Sequence, residues 1–160
     1  MNGGSAIERL SKIARRPDHV MMDPHIHSNA SYDGKSPVEA ILKWASEIGL
    51  DAVAITDHDG IDESVRAAEI APDYGLLAVP GVEVSTADGH LLGLGIEELP
   101  EKGRPIDETI EEIRGLGGIA IVPHPFQKSR HGAGAIKNCD AFEIYNSRLV
   151  TGRSNRKAKK

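Results

Sequence analysis

His25 and His27 stand two residues apart in Asp23-Pro-His25-Ile-His27-Ser28, and in extended backbone that spacing points both imidazoles to one side, where they can grip a single ion. By itself a His-x-His pair is equally well read as two surface histidines near a turn. Its company changes that reading: Asp33, Thr56-Asp57-His58, Glu83, His90 and Pro123-His124-Pro125 add carboxylates and imidazoles at positions that packing does not explain. A mixed set of imidazoles and carboxylates suits Mn, Zn or Fe better than Mg or Ca, which favour all-oxygen shells. Two such ions side by side can activate a water and stabilise charge on the attacking and leaving oxygens of a phosphoester. No Ser, Cys or Lys has the flanking base and elbow of a covalent catalyst, and Gly115-Leu-Gly117-Gly118 lacks the lysine of a phosphate loop.

Strands must carry these groups. Val20-Met21-Met22 leads into a strand end at Asp23, Ala52 to Thr56 reads as a buried strand, and Leu76 to Val79 as a short one before Pro80-Gly81. Val82 to Thr86 and Leu91 to Ile96 flank Ala87-Asp88-Gly89-His90, whose Asp-Gly pair marks a hairpin. Strands at Ile119 to Val122 and Ala141 to Tyr145 complete the pattern. Ser36-Pro37-Val38-Glu39 supplies a cap, a first-turn proline and a third-position Glu for a helix to about Ile48. Further helices are predicted over Glu63 to Ala71 and about Ile106 to Leu116, the latter with Ile106, Ile110 and Ile113 on one face. The recurring strand-then-helix unit implies an α/β fold with a mainly parallel sheet, open or closed as a barrel. His25, His27, Asp57, His58, Glu83 and His124 then fall at or just after C-terminal strand ends, the face on which the loops of a parallel barrel converge.

A chain of 160 residues fits one domain. Ser5-Ala-Ile-Glu8, with Ile7, Leu10, Ile13 and Ala14, predicts a short helical extension over 1–19 that packs against a main domain of 20–160. The net charge of −5 is uneven: Ser147 to Lys160 holds six Lys or Arg and no acid, so the rest carries 13 basic against 24 acidic side chains. An acidic body argues against broad binding of duplex DNA. The basic end reads either as a nucleic-acid tail or as an exposed helix. No apolar run approaches the ~20 residues of a membrane span. The absence of a secretory pattern and a single cysteine, Cys139, point to the cytoplasm.

Asp23-x-His25-x-His27-Ser28, Thr56-Asp57-His58, Pro80-Gly81-Val82-Glu83 and Pro123-His124-Pro125 together resemble the successive motifs of the polymerase and histidinol phosphatase (PHP) superfamily of metal-dependent phosphoesterases. The resemblance runs from about residue 20 to the last residue. It implies a distorted (β/α)7 TIM-like barrel with a two- or three-metal centre on its C-terminal face. By the same resemblance His25, His27 and Glu83 hold a first ion, Glu83, His90 and His124 a second with Glu83 bridging, and Asp33 and His58 serve a third. Asp57 would support neighbouring groups by hydrogen bonds rather than touch metal. The Asp-x-His motif that closes the family pattern has no counterpart after Ser147, so the expectation is a barrel truncated after about five strands. An open edge of that kind invites an oligomer.

The implied activity is hydrolysis of a phosphomonoester or a small nucleotide-type phosphodiester by a metal-activated water. Two rivals stand beside it: a regulatory metal-binding module, and an amidohydrolase-like enzyme acting on a C–N bond. Arg130, His131 and Arg148 are candidates by position for meeting substrate phosphate. Glu143 and Asn146 are balanced between pocket lining and structure. Trp44 reads as core, and His19 as exposed.

Overall fold

The computed structural model describes residues 19–127, 131–134, 136–148 and 152–159. The expected N-terminal helix and Arg130 lie outside them. The elements follow in the order β1 (Met22–Ile26), α1 (Val38–Ile48), β2 (Ala52–Ile55), α2 (Asp62–Ile70), a single 3-10 turn (Ala71–Tyr74), β3 (Leu77–Ala78), β4 (Gly81–Ser85), β5 (His90–Leu94), α3 (Ile106–Gly115), β6 (Ile119–Val122), β7 (Ala141–Phe142) and α4 (Arg153–Ala158).

The strands divide between two sheets. β1, β2 and β3 run parallel in that order, with Met22 opposite Ala52 and Ala52 opposite Leu77. β4, β5, β6 and β7 form the second sheet, antiparallel at its first two contacts and parallel between β6 and β7. The expectation of a mainly parallel barrel is thus corrected. The fold is mixed α/β with one parallel and one mixed sheet, and the described strands do not close into a barrel. Two local features cause this. Only Thr86 to Gly89 join β4 to β5, with the Thr86 N–H donating to the Gly89 carbonyl at 2.9 Å, and so short a link can only return the chain antiparallel. Pro80, with no N–H to give, ends the parallel ladder after Val79, whose own N–H donates to the Val53 carbonyl at 2.9 Å.

Each sheet has its own core. Val38, Leu42 and Ala45 of α1 pack with Val53, Ile55, Ala67 and Leu76 beside the parallel sheet. Ile106, Ile110 and Ile113 of α3 meet Val82, Val84, Leu91, Ala120 and Val122 on the mixed sheet, as the spacing of the isoleucines predicts. Ser36 does not cap α1, which starts after Pro37 with no side-chain cap bond. Trp44 is 57% exposed, against the expectation that it packs inside. It lies two residues past Leu42, or about 200° around the helix, on the face away from the Val38–Leu42–Ala45 stripe. No helix among the described residues is long and apolar enough to cross a membrane.

Candidate metal centre

The two sheets are stitched together where the polar residues gather. His58 forms an isolated parallel bridge with Glu83. The Glu83 N–H donates to the Asp57 carbonyl at 3.1 Å, and the Asp59 N–H donates to the Glu83 carbonyl at 3.0 Å. The parallel half contributes His25 from β1, His27 just after it, Asp33 from the following loop and His58 after β2. The mixed half contributes Glu83, His90, His124 and Glu143. Glu83 sits in the middle of β4 rather than at its end, and it is 1% exposed. His90 opens β5. Because β5 is antiparallel, Ser85 faces His90, so the start of one strand lies beside the end of the other.

Glu83 divides the imidazoles between its two oxygens. Oε1 meets His90 Nδ1 at 2.8 Å and His124 Nε2 at 3.0 Å. Oε2 meets His27 Nε2 at 2.9 Å, His25 Nε2 at 3.2 Å and His58 Nδ1 at 3.4 Å. Burial, the largest single influence on Glu83, works to keep it protonated. The bonds from His124, His25, His27 and His90 outweigh burial and hold its carboxyl well below the ordinary range. His25 shows the complementary balance: burial disfavours its charge, but bonds to Glu143 and Glu83 raise its pKa to about 10. For His58 burial prevails and lowers the pKa.

Three groups of donors have all their ligand atoms within 4.8 Å of one another: His25, His27 and Glu83; His58, Glu83 and His90; and His27, Asp33 and His58. The second group joins His58 to His90, whereas the resemblance pairs His90 with His124. His124 touches Glu83 Oε1 but belongs to none of the three groups among the described residues. His27 enters two groups by different atoms. Its Nε2 faces Glu83, while its Nδ1 bonds Asp33 Oδ1 at 2.9 Å.

These residues fit divalent ions. Neighbouring ligands about 2.1 Å from a four-coordinate ion stand about 3.4 Å apart, close to the 3.1 Å between His25 Nε2 and His27 Nε2 and the 3.2 Å from His25 Nε2 to Glu83. Two ring nitrogens facing each other satisfy both lone pairs only through a shared proton or a cation. Among the described residues His58 Nδ1, 3.4 Å from Glu83 Oε2, and His124 Nδ1 are buried without a hydrogen bond, an arrangement that is costly unless another group completes it.

Bonds behind the donors fix their aim. Asp57 touches no imidazole; instead Ser28 donates to it from its N–H at 2.7 Å and from its hydroxyl at 2.6 Å, which anchors the loop next to His27. Gly34 packs so closely under the same loop that a Cβ there would stand 1.8 Å from the Ser28 carbonyl oxygen. The Ser31 hydroxyl accepts the His58 N–H at 2.8 Å. Glu143 is the residue that the sequence pattern left undecided. It meets His25 Nδ1 at 3.3 Å, accepts the His124 N–H at 2.7 Å, and is held in turn by the Asn146 amide at 3.1 Å. His124 has a positive φ of 31°, an uncommon backbone shape for which the bond to Glu143 compensates. The signal that could have found Glu143 is general: an imidazole that binds metal through one nitrogen presents the other to a carboxylate.

His131 Nδ1 lies 2.8 Å from His90 Nε2, so it adjoins the cluster directly. Arg148 is 67% exposed at its side chain and pairs with Asp33, which, despite burial acting to raise it, the guanidinium and nearby imidazoles hold below its usual range. The cluster lies at the base of a cavity of about 1310 Å3, whose walls include Tyr32, His131, Tyr145 and Arg148.

The model of the PHP domain matches residues 23–143, the span that holds every donor described above. The chain belongs to the PHP domain family. An uncharacterised protein of Methanocaldococcus jannaschii is 40% identical over 114 residues, covering 65% of this chain and 67% of that protein. The phosphoribosyl 1,2-cyclic phosphate 1,2-diphosphodiesterase of Eggerthella lenta is 38% identical over 85 residues, which is 49% of this chain but 32% of the enzyme. The match therefore spans about a third of that relative's length. Among solved structures, a Bifidobacterium adolescentis protein assigned as a metal-dependent phosphoesterase superposes with a TM-score of 0.66, at 16% identity, over 90% of this chain and 86% of its own. At that identity the likeness speaks for the fold.

Proposed function

We propose that this PHP domain is a hydrolase of phosphoester bonds, acting on a phosphomonoester or a small nucleotide-type phosphodiester with divalent ions gathered about Glu83. The observation that carries this reading is the division of Glu83: one buried carboxylate offers Oε1 to His90 and His124 and Oε2 to His25, His27 and His58. A carboxylate so placed is built to bridge two ions. When bound, Mn, Zn or Fe ions supply Lewis acidity toward phosphoryl oxygen and lower the pKa of a water.

The protein's own groups do the positioning. His25 and His27 with Glu83 would hold a first ion, and His90 and His124 with Glu83 a second, with His58 beside both. Asp33 holds the Nδ1 side of His27, so its service to a third ion competes with that bond. Glu143 orients His25, His131 orients His90, and Asp57 secures the loop of His27 through Ser28. Arg148, on the cavity wall, supplies positive charge for substrate phosphate.

The test is metal analysis of protein purified without chelator, together with Mn-dependent hydrolysis of a generic aryl phosphate. Bound metal with turnover is the expected result. Metal retained without turnover on any phosphoester would favour a regulatory metal-binding module, and turnover confined to amide substrates would favour a C–N hydrolase.

A further inference from the structure

The chain has six aromatic side chains from Phe, Trp and Tyr, and two of its three tyrosines stand on the wall of the cavity above the imidazole cluster. Tyr32 is 78% exposed and Tyr145 68%. Tyr74, by contrast, packs against the core of the parallel half.

Tyr32 is also ordered in a particular way. Its ring lies nearly parallel to the imidazole of His58, with centroids 4.7 Å apart and planes 11° from coplanar. The neighbouring backbone sets this pose: the Ser31 hydroxyl, one residue earlier, accepts the N–H of His58 at 2.8 Å, and Asp33, one residue later, bonds His27. One face of Tyr32 is therefore backed by an imidazole of the cluster, while the residue as a whole stays largely exposed beside the cavity. A π-face held in register with the reaction site and exposed to solvent is a platform on which another planar ring can stack.

We infer that Tyr32 is a specificity-determining residue that stacks a planar aromatic group of the substrate, so that this domain selects phosphoesters whose alcohol carries a nucleobase or aryl ring close to the phosphorus. The inference rests on the phosphoester reading above. Aliphatic phosphates would reach the same ions without this contact and would bind more weakly. The structural alternative, in which Tyr32 merely shields His58, predicts no preference between ring-bearing and ring-free ligands.

The experiment compares two non-hydrolysable probes, phenylphosphonate and methylphosphonate, titrated calorimetrically into Mn-loaded wild-type protein, Tyr32→Ala and Tyr32→Phe. Wild type is expected to bind the phenyl compound about tenfold or more tightly than the methyl one, in keeping with the usual strength of a single ring stack. Tyr32→Ala should bring the two within about twofold, with methylphosphonate affinity unchanged, and Tyr32→Phe should restore the preference. Kinetics should agree: in Tyr32→Ala the KM of an aryl phosphate should rise by a larger factor than that of glycerol phosphate. An equal loss of both phosphonates in Tyr32→Ala would overturn the inference and make Tyr32 a support for His58. A phenyl preference that survives Tyr32→Ala would overturn it too. If neither phosphonate binds wild-type protein, the phosphoester reading itself falls, a result distinct from loss of the ring preference alone.

Discussion

The parallel half and the mixed half of this domain hold their clustered imidazoles and carboxylates by different means. In the parallel half His27, Asp33 and His58 sit on loops after short strands and are held by side-chain bonds: Ser28 donates to Asp57, Asp33 of the same loop bonds His27, and the Ser31 hydroxyl accepts the His58 N–H. In the mixed half Glu83 and His90 are members of paired strands, so the sheet ladder itself sets their positions. Strand-borne groups are placed by many backbone bonds that no one side chain controls. Loop-borne groups are placed by a few side-chain bonds that single substitutions can remove. Damage should therefore spread differently in the two halves.

Glu83 offers the sharpest contrast, because it belongs to one half and serves both. Glu83→Gln should remove more than one equivalent of bound metal and abolish hydrolysis, whereas His90→Ala should lose mainly one equivalent; metal content by mass spectrometry decides between them. Equal, small losses from both variants would break the bridging assignment. Glu143→Gln comes next. It leaves His25 without its carboxylate, and metal affinity should fall about 10- to 100-fold while circular dichroism stays that of the wild type.

Protons compete with the ions in the parallel half. With its pKa raised to about 10 in the ion-free protein, His25 is protonated at neutral pH, and a metal must displace that proton. Apparent metal affinity should therefore increase with pH, by about tenfold per unit between pH 6 and 8 for one displaced proton, as read by competition with a metal indicator. The stability sign is opposite. The charge of His25 contributes fully below its unfolded value of about 6.5 and is lost as pH rises through about 10, so ion-free protein should soften toward alkaline pH.

Asp57→Ala tests the loop side more gently. It strands two Ser28 donors in a buried place and should cost about 1–3 kcal/mol in thermal or denaturant unfolding, with the loss of metal confined to the His25–His27 place. Arg148→Met should be smallest. An exposed guanidinium is discounted by solvent, and a several-fold rise in KM, about 1 kcal/mol, with kcat held is the expected result.

Much of this candidate centre was legible in the sequence because its donors are rare residue types, several of them at or just after strand ends. His25, His27, Glu83 and His124 lie together as strand-end placement implied, and His90 joins them as the family resemblance implied. What periodicity could not carry was direction and partnership. An alternating apolar pattern is the same in parallel and antiparallel strands, so only the four-residue link after Ser85 betrays the turn from one sheet type to the other. The contact of Glu143 with His25 spans 118 positions and that of Arg148 with Asp33 spans 115, distances at which no local rule operates. Tyr32 was missed for a related reason: aromatic residues at loop positions read as ordinary surface until the imidazole beneath them is known.

Trp44 is the chain's one indole, and it is largely exposed on α1, off the Val38–Leu42–Ala45 stripe. Its ultraviolet emission should already resemble that of indole free in solution, centred at long wavelength and open to quenching by iodide. Loading the centre with ions should leave that emission almost unmoved, and unfolding should shift it little. The indole emission of this protein will thus report on one face of α1, while changes at the cavity are left to its tyrosines.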